Sequence, residues 1–477
     1  MRRRQFIQKT GLGMSALASS SILTACAKQE PYKFWLDGNY PPVSEQVTEI
    51  NLKVEGSLPP ELNGLYVRNG TNASTGPSDH FFGGDGMLHG IRLENGAAKW
   101  YRNRYVDTPV YRQETSGFGA PKPEDTTSAV SLIYHGDKLL SLGEFGYPYE
   151  INPNDLSTAG FHDYQGKLSG NMTAHPRIDP ETGEMIAFGY NVTRPYVTYM
   201  RIDSSGNMLQ VEPIDTDGPA MMHDFAVTKD YVIFLETKVL FSWFQVITGD
   251  GLPFRWDDDA ACRFGVMPRE GSNADVRWFD IPSCFIFHVM NSFQEGGQIH
   301  VDAARYEKLW VKDSHDFNHP AHLSRFTLDL NSGKSSVTRL FERSMEFPQV
   351  NRSHWTRPYR YGYSLITDVD GRPFGELTSE TAKGYMKYDL QTGLTTALEV
   401  ADQYAPGEAV FVSAGDQNGS EDQGYLISYV YDAATKLSAL WVMDATNLAQ
   451  GPIAKVPLPV RVPQGFHGLW VPASDYA

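Results

Sequence analysis

Short apolar segments separated by turn residues recur along most of the chain, and this pattern limits the fold more than any other feature. Each segment is rich in β-branched, aromatic or leucine residues and ends at glycine, Asp-Gly or proline, as strands joined by tight turns do. Examples are LNGLYVRNG, KLLSLGEFGYPYEI, MIAFGYNV, YVIFLET, YSLITDVDG and YLISYVYDAATKLSALWVMDA. Long amphipathic helical patterns are scarce. The sequence therefore predicts an all-β sandwich, barrel or propeller.

One apolar segment departs from this pattern. It is VLFSWFQVI, residues 239–247, and the polar run TGDGLPFRWDDDA follows it. The sequence predicts an inserted helix or loop at this point rather than another strand of the repeated sheets.

The first 26 residues are expected to direct export rather than to fold. Arg3 and Arg4 precede a Gly/Ser/Ala-rich apolar run, as in a twin-arginine export signal. That run is too short and too weakly apolar to span a membrane. It ends in LTAC, residues 23–26, which resembles the lipobox at which bacterial lipoproteins are cleaved and lipidated. A plain signal peptide with an incidental cysteine is the alternative.

These features predict a location. Lipidation of Cys26 would anchor the exported protein to a membrane on the periplasmic side, and Ala27 rather than aspartate after it favours the outer membrane. Twin-arginine export carries folded proteins, which suits a protein that acquires a metal or cofactor in the cytoplasm. We expect residues 1–26 to be the signal peptide and 27–45 to be a linker.

Composition excludes one class of function. The chain has 41 lysine and arginine residues against 57 aspartate and glutamate residues, a formal net charge of −16. Nucleic-acid binding needs a basic face, so nucleic acid is not an expected partner. Besides Cys26 there are two cysteines, Cys262 and Cys284. They could pair in an oxidising compartment, although two buried thiols are the simpler interpretation.

Four of the thirteen histidines lie at or near the edges of apolar strands, and three glutamates have similar surroundings. The histidines are His175, His223, His288 and His467, and the glutamates are Glu144, Glu346 and Glu408. Four imidazoles can fill most of the coordination sphere of iron, zinc, copper or nickel. A metal-bound imidazole also needs its other ring nitrogen held, commonly by a carboxylate. The alternative for each histidine is a buried side chain with a structural role.

The spacing of these seven residues favours a repeat. They follow one another at intervals of 31, 48, 65, 58, 62 and 59 residues. The last four intervals approach one four-stranded blade with its loops, somewhat above the roughly 40–45 residues of compact propeller repeats. Seven such positions suggest seven blades, each directing one polar residue toward a central axis.

A set of motifs gives the chain a family resemblance. From Gly56 to Pro472 the motifs are, in order, GSLPPELNGLYVRNG, HFFGGDGMLHGIRL, YRNRYVDT, RFGVMPR, FHVMNSF, EFPQV and RVPQGFHGLWVP. Their sequence and order resemble those of the carotenoid cleavage oxygenases, a family that includes stilbene-cleaving dioxygenases and a retinoid isomerase. The resemblance implies a seven-bladed β-propeller over residues 46–477, with a capping dome of loops and short helices.

The resemblance also implies a metal and a reaction. The four histidines match the family's iron ligands, one Fe(2+) per chain, and the three glutamates match residues that orient three of those histidines. Neutral imidazoles leave the ferrous ion its full charge and favour Fe(II). The implied activity is dioxygenase cleavage of a C=C bond of a carotenoid or apocarotenoid with O2, giving two carbonyl products. The segment 239–247 is expected to help form an apolar mouth that takes this polyene substrate from a membrane surface.

Two positions depart from the family pattern. Val130 stands where many cleaving members carry threonine near the iron, while the retinoid isomerase carries valine there. Gly143 stands where lignostilbene-cleaving members carry a lysine that contacts a phenol. The second departure favours a carotenoid or apocarotenoid over a stilbene.

Other functions remain open at this point. A stilbene- or phenylpropenoid-cleaving dioxygenase would use the same iron site. A secreted, non-catalytic binding propeller would have no use for four histidines and three glutamates at blade spacing, and a calcium-dependent propeller needs oxygen ligands instead. His315, His319 and His322 could form a second metal site, although solvated loop histidines are the favoured interpretation.

Overall fold

The computed structural model describes residues 33–115, 122–248, 251–317, 319–367, 382–415 and 419–476. The chain divides into two units, Met1–Tyr32 and Lys33–Ala477, and the described residues all belong to the second. The expected signal peptide and Cys26 lie outside them, so the predictions of export and lipidation stay predictions.

Strands make up nearly all of the regular structure of the described residues. The first are β1 (Thr48–Leu52), β2 (Glu55–Gly56), β3 (Gly64–Arg68), β4 (Thr71–Asn72), β5 (Asp85–Glu94), β6 (Ala97–Tyr105), β7 (Ser131–His135), β8 (Lys138–Leu142), β9 (Tyr149–Ile151), β10 (Thr158–Phe161) and β11 (Arg177–Ile178). Next come β12 (Met185–Tyr190), β13 (Val197–Ile202), β14 (Met208–Ile214), β15 (Ala226–Val227), β16 (Tyr231–Glu236), β17 (Val239–Phe241), β18 (Phe254–Trp256), β19 (Arg263–Pro268), β20 (Arg277–Asp280), β21 (Phe285–Glu295) and β22 (Gln298–Tyr306). The last are β23 (Ala321–Asp329), β24 (Ser335–Val350), β25 (Tyr361–Ile366), β26 (Gly384–Asp389), β27 (Leu394–Glu399), β28 (Tyr404–Pro406), β29 (Val410–Ser413), β30 (Gly424–Asp432), β31 (Leu437–Asp444), β32 (Pro452–Pro457) and β33 (Gly468–Pro472).

Helices are few and short in this part of the chain. The α-helices are α1 (Trp243–Thr248) and α2 (Ala473–Tyr476), and the 3-10 turns are Phe34–Leu36, Asn273–Asp275, Arg352–His354 and Leu448–Gln450. The prediction of an all-β protein with short helices is confirmed. Among the helices of the described residues, none is both long and apolar enough to span a membrane.

The strands pair antiparallel, mostly with their neighbours in sequence. Three sheets have four strands, in the orders β10-β9-β8-β7, β11-β12-β13-β14 and β15-β16-β19-β20. One six-stranded sheet has the order β2-β32-β31-β30-β28, with β29 on β30. The other has the order β1-β6-β5-β3-β33, with β4 on β5, so the last strand pairs with an early one.

The seven-stranded sheet, β21 to β27, changes partner within one long strand. The first part of β24 pairs with β23 up to Ser344, and the remainder pairs with β25 from Met345 onward. Its register with β25 shifts between Glu346 and Gln349. Strand β24 therefore belongs to two groups of four strands, β21–β24 and β24–β27, and the change of partner after Ser344 marks the boundary between them.

The apolar runs of the sequence correspond to strands covered on both faces. All five residues of β3 and all six of β12 are buried, which is why these strands are continuous apolar runs rather than alternating ones. Apolar side chains between neighbouring sheets form the core, and its largest cluster joins residues from Phe34 to Tyr388.

The segment 239–247 is an insertion, as the sequence predicts. Strands β16 and β19 are neighbours in their sheet, and between them the chain forms the hairpin β17–β18 with α1 in its connection. Most of the large side chains of α1 face solvent: the exposed fraction is 69% for Trp243, 62% for Phe244 and 83% for Ile247.

Candidate metal centre

The four predicted histidines come together in the interior. Their candidate ligand nitrogens all lie within 4.8 Å of one another, and all four residues are buried. His288 belongs to β21, while the other three lie just before strands β11, β15 and β33. Each of these four strands lies at the edge of a different sheet, so the cluster forms only when the sheets are assembled.

The three predicted glutamates each hold one histidine. The carboxylates accept hydrogen bonds from imidazole Nδ1 as follows: Glu144 from His223 at 2.8 Å, Glu346 from His288 at 2.5 Å, and Glu408 from His467 at 2.9 Å. Sequence reasoning leaves this pairing open, and the structure resolves it.

The glutamates are themselves fixed by groups that the sequence analysis missed. Tyr190 and Tyr306 donate their hydroxyl hydrogen to Glu144 and Glu346, at 2.6 and 2.8 Å. The Gln349 side-chain amide and the Gly468 backbone N–H donate to Glu408, at 2.8 and 2.7 Å. Gln349 lies within the EFPQV motif, but a tyrosine in a strand is ordinarily a packing residue. Such partners fix a carboxylate and, through it, the orientation of a metal-bound imidazole.

This arrangement selects the imidazole tautomer that binds metals. Because Nδ1–H donates to a carboxylate, the Nε2 lone pair points into the cluster. There, Nε2 of His175 and His223 are 3.0 Å apart, and those of His288 and His467 are 3.1 Å apart. Lone pairs at that separation repel unless a proton or a cation lies among them. The donor set therefore fits a transition-metal ion that prefers nitrogen ligands.

The electrostatics of the centre differ from one imidazole to another. Burial lowers the pKa of His288, but Glu346 raises it more, so the pKa of this ring is above its ordinary value. Burial, followed by the neighbouring histidines, holds the pKa of His175 well below its ordinary value. Burial also lowers the pKa of His467, although Glu408 opposes this. Burial raises the pKa of Glu408, but His467 and the surrounding donors lower it more, so the carboxyl pKa is below its usual range. The same balance, with His288 as the partner, lowers the pKa of Glu346.

His175 differs from the other three histidines. Among the described residues, no carboxylate accepts a hydrogen bond from it, and its Nε2 contacts Nε2 of His223 instead. It is packed instead by the imidazoles of His223 and His467, each with its ring centroid 4.6 Å away.

The position of Glu144 explains the shortest interval in the sequence pattern. It follows β8, the second strand of its sheet, whereas the other six residues lie in β21 or β24 or just before β11, β15, β29 or β33. The equivalent place before β7 belongs to Val130. The carbonyl of Val130 accepts the backbone N–H of His467 at 3.2 Å, so this residue contacts the backbone of a candidate ligand.

Aromatic side chains line part of the cluster. Phe287 lies edge-on to His223, with ring centroids 5.3 Å apart, and Phe347 stacks on His288 at 5.2 Å. Phe82 continues this wall from Phe287 to Phe466, with centroid distances of 6.0 and 5.5 Å. Such a wall offers apolar surface rather than hydrogen bonds to anything that approaches the centre.

The structure does not gather His315, His319 and His322. Within the described residues, the four-histidine cluster is the one group of metal-ligand type. The favoured interpretation, solvated loop histidines, is wrong for two of the three. His322 lies in β23, and His315 stacks on Trp35 with ring centroids 4.8 Å apart.

Comparison with known proteins places the chain in a family. Residues 40–472 match the family model described as retinal pigment epithelial membrane protein. The carotenoid 9,10(9',10')-cleavage dioxygenase 1 of Pisum sativum is 35% identical over 92% of this chain and 90% of its own length. The carotenoid cleavage oxygenase of Mycobacterium tuberculosis is 33% identical over 94% of this chain and 99% of its own length.

Solved structures agree with this placement. The lignostilbene dioxygenase of Pseudomonas brassicacearum superposes with a TM-score of 0.84 and 30% identity, covering 93% of this chain and 99% of its own. A cobalt-substituted apocarotenoid oxygenase of Synechocystis superposes with a TM-score of 0.81 and 27% identity. This superposition covers 93% of this chain and 100% of the oxygenase. With the family model spanning most of its length, the chain belongs to the carotenoid cleavage oxygenase family.

Proposed function

We propose that this protein is a non-haem Fe(II) dioxygenase that cleaves a C=C bond of a carotenoid or apocarotenoid with O2 to give two carbonyl products. The observation that carries the proposal is the buried cluster of four histidines, three of them held by glutamates. The relatives from Pisum sativum and Mycobacterium tuberculosis are carotenoid-cleaving enzymes, and they match nearly the whole chain. A non-catalytic binding propeller would have no use for such a centre.

His175, His223, His288 and His467 would hold the ferrous ion through Nε2. A bound Fe(II) ion supplies the means of activating O2, and four neutral imidazoles preserve its positive charge. The glutamates keep three imidazoles in the correct tautomer and orientation. The Phe82–Phe287 wall would pack against the polyene by apolar contact and keep water from the reacting carbons.

A stilbene or phenylpropenoid substrate is the alternative, because the lignostilbene dioxygenase superposes well on this chain. Gly143 argues against it. Glycine lacks the phenol-contacting side chain that the family resemblance associates with lignostilbene cleavage, and a Cβ atom here would lie 2.6 Å from Oγ1 of Thr126, which would have to shift.

The strand pairing supports a seven-bladed propeller formed by residues 46–477. The three four-stranded sheets supply three blades, the two six-stranded sheets supply two, and the seven-stranded sheet supplies two that share β24. In this arrangement the edge strands beside the histidines are the inner strands. The hairpin β17–β18 and α1 belong to the capping dome.

The same proposal includes a membrane-bound location in the periplasm. Export by the twin-arginine pathway and lipidation of Cys26 would place the enzyme on the outer membrane. The exposed apolar side chains of α1 suit insertion into the interfacial layer of a bilayer. A polyene could then pass from the membrane into the protein without crossing water.

The test is aerobic incubation of the iron-loaded protein with a panel of carotenoids, apocarotenals and stilbenes under ¹⁸O₂. Metal analysis after anaerobic purification should give about one iron per chain. Product mass should show two aldehydes or ketones from a carotenoid or apocarotenoid, each carrying one ¹⁸O atom when solvent exchange is suppressed. Cleavage of stilbenes alone would establish the alternative substrate, and full iron content without cleavage of any substrate would contradict the proposed activity.

A further inference from the structure

A small polar cavity adjoins the histidine cluster. It has a volume of about 60 Å³, and its walls include His175, His288, His467, Phe347 and Gln349. Four charged side chains also line it, and they are Arg177, Asp224, Arg352 and Glu408. The cavity is too small for a polyene, since sites for drug-sized molecules occupy about 300–1,000 Å³. Each water-sized group needs about 10–15 Å³, so the cavity holds roughly four to six of them.

Both carboxylates in this wall are fully engaged. Asp224 accepts two hydrogen bonds from Arg177, at 2.8 and 3.1 Å, and the backbone N–H groups of Phe225 and Val289, both at 2.8 Å. Glu408 accepts from His467, Gln349 and Gly468, as described above. Arg177 is paired with Asp224, whereas Glu408 is held by uncharged donors and its negative charge raises the pKa of Arg352. Each of these three charged groups is therefore hydrogen-bonded.

Arg352 is the exception. Its Nε is buried and has no hydrogen-bond partner, and within the described residues its guanidinium makes no hydrogen bond or ion pair. Its contact is with the ring of Trp355, 4.9 Å from guanidinium carbon to ring centroid, and Arg177 lies over the same ring at 5.5 Å. Burial lowers the pKa of Arg352 to about 10, which still leaves it charged at neutral pH.

The backbone holds Arg352 in this place. It begins the 3-10 turn Arg352–His354 directly after β24, and the Asn351 side chain caps that turn by accepting the Ser353 N–H at 3.1 Å. The Asn351 amide also donates to the carbonyl of Glu421 at 3.0 Å. A guanidinium nitrogen that is buried without a hydrogen-bond partner costs free energy, and this fixed backbone keeps the half-buried Arg352 side chain at the cavity.

We propose that this cavity binds a small planar oxyanion, formate or bicarbonate in class, with Arg352 as its principal donor. The planar guanidinium, which has no hydrogen-bond partner among the described residues, matches a carboxylate in geometry and charge. The cavity volume fits three or four heavy atoms, and Trp355 closes one side with an aromatic face. This site lies beside the iron ligands and is separate from the polyene, so it goes beyond the proposed cleavage activity.

The experiment uses the full-length, iron-loaded protein under anaerobic conditions. It is titrated calorimetrically with sodium formate and, separately, bicarbonate, at constant ionic strength maintained with sodium chloride, and with sulfate as a larger tetrahedral comparison. Arg352→Met should weaken formate binding about tenfold or more, because hydrogen bonds to a charged group are lost. Arg352→Lys keeps the charge without the fork and should retain part of the affinity. Arg360→Met is the matched control, since Arg360 is paired with Asp389 at the surface.

A second measurement locates the anion. The relaxation of ¹³C-formate should be enhanced by the iron-loaded protein relative to the metal-free protein, because the cavity borders the iron ligands. Enhancement that Arg352→Met abolishes while iron content stays at about one per chain supports the site. No saturable binding of either oxyanion to the wild type overturns it. Binding that is unchanged in Arg352→Met, or that occurs without relaxation enhancement, places the anion elsewhere and also overturns it.

Discussion

The metal centre and the helix α1 are built in opposite ways. At the centre, every histidine comes from a different sheet, and three of them are held through glutamates that have further partners of their own. Helix α1 is a single insertion between two neighbouring strands, and its large side chains contact solvent. The difference indicates that the centre is a property of the whole assembled fold, whereas α1 is a local addition. Iron binding and membrane contact should therefore respond to different substitutions.

The largest expected effect is loss of the metal. His223→Ala or His467→Ala removes one of four ligands and leaves Glu144 or Glu408 as a buried carboxylate without its imidazole. We expect iron content after anaerobic purification to fall from about one per chain to near zero. His300→Ala, in the outer part of the β21–β24 sheet, is the control and should keep its iron. Full iron retention in both ligand variants would refute the centre.

The next largest effect on iron binding is expected from replacing the glutamates. The loss of iron affinity should be greatest for the most buried glutamate. The side chain is 1% exposed in Glu408, 10% in Glu346 and 19% in Glu144. Replacing each glutamate by glutamine removes the negative charge that accepts the imidazole N–H. It also puts an NH2 donor where one of the two acceptor oxygens was. Loss of such a partner weakens metal affinity by about 10–100-fold. We expect the order Glu408→Gln, then Glu346→Gln, then Glu144→Gln, measured by competition with a metal chelator.

Tyr306→Phe tests a residue that contacts a glutamate rather than a histidine of the centre. It removes the hydroxyl that donates to Glu346 but leaves the carboxylate in contact with His288. Its effect on iron affinity should be smaller than that of Glu346→Gln. An equal or larger effect would show that the tyrosine, rather than the glutamate, holds the imidazole in place.

Much of this centre is predictable from the sequence, and the exceptions have a physical cause. The seven residues stand out because a polar side chain in an apolar strand costs free energy unless a hydrogen bond or a metal compensates for its burial. Their pairing does not follow from chain order: Glu144 passes over His175 and holds His223, 79 residues away. That choice depends on where the loop after β8 runs. Arg352 was not singled out, because NRSHWTRPYR has the composition of a solvated loop.

The α1 region should change membrane binding and leave the iron in place. The double substitution Trp243→Ser and Ile247→Ser, made with Cys26→Ser so that no lipid anchor contributes, removes two exposed apolar side chains. Because a large apolar side chain is worth about 1.5–3 kcal/mol on burial, vesicle affinity should fall about tenfold or more in sedimentation with phospholipid vesicles. Leu394→Ser, exposed on β27, is the matched control and should bind vesicles normally. Unchanged vesicle binding in the double variant would exclude α1 as the contact.

The last expected effect is on stability and concerns His80, which packs against Phe82 of the aromatic wall with ring centroids 5.4 Å apart. Its Nε2–H donates to the carbonyl of Ser314 at 3.1 Å, and its Nδ1 accepts the Phe82 N–H at 3.0 Å, so the fold requires the neutral ring. Burial, and then His315, lowers the pKa of His80 to about 4. The unfolded chain binds this proton near pH 6.5, so stability is full above that pH and falls as the pH is lowered toward 4.

Urea unfolding between pH 7.5 and 4 measures this loss, which we expect to be about 3 kcal/mol from His80. His80→Asn keeps an acceptor for Phe82 but does not titrate, so its stability should depend less steeply on pH than that of the wild type. The buried His89 and His135 are present in both proteins and cancel in the comparison. Parallel pH profiles would show that His80 accepts a proton in the folded state as readily as in the unfolded chain. The aromatic wall would then be more open to water than its packing indicates, and it would resemble the exposed α1 region more closely than the buried centre.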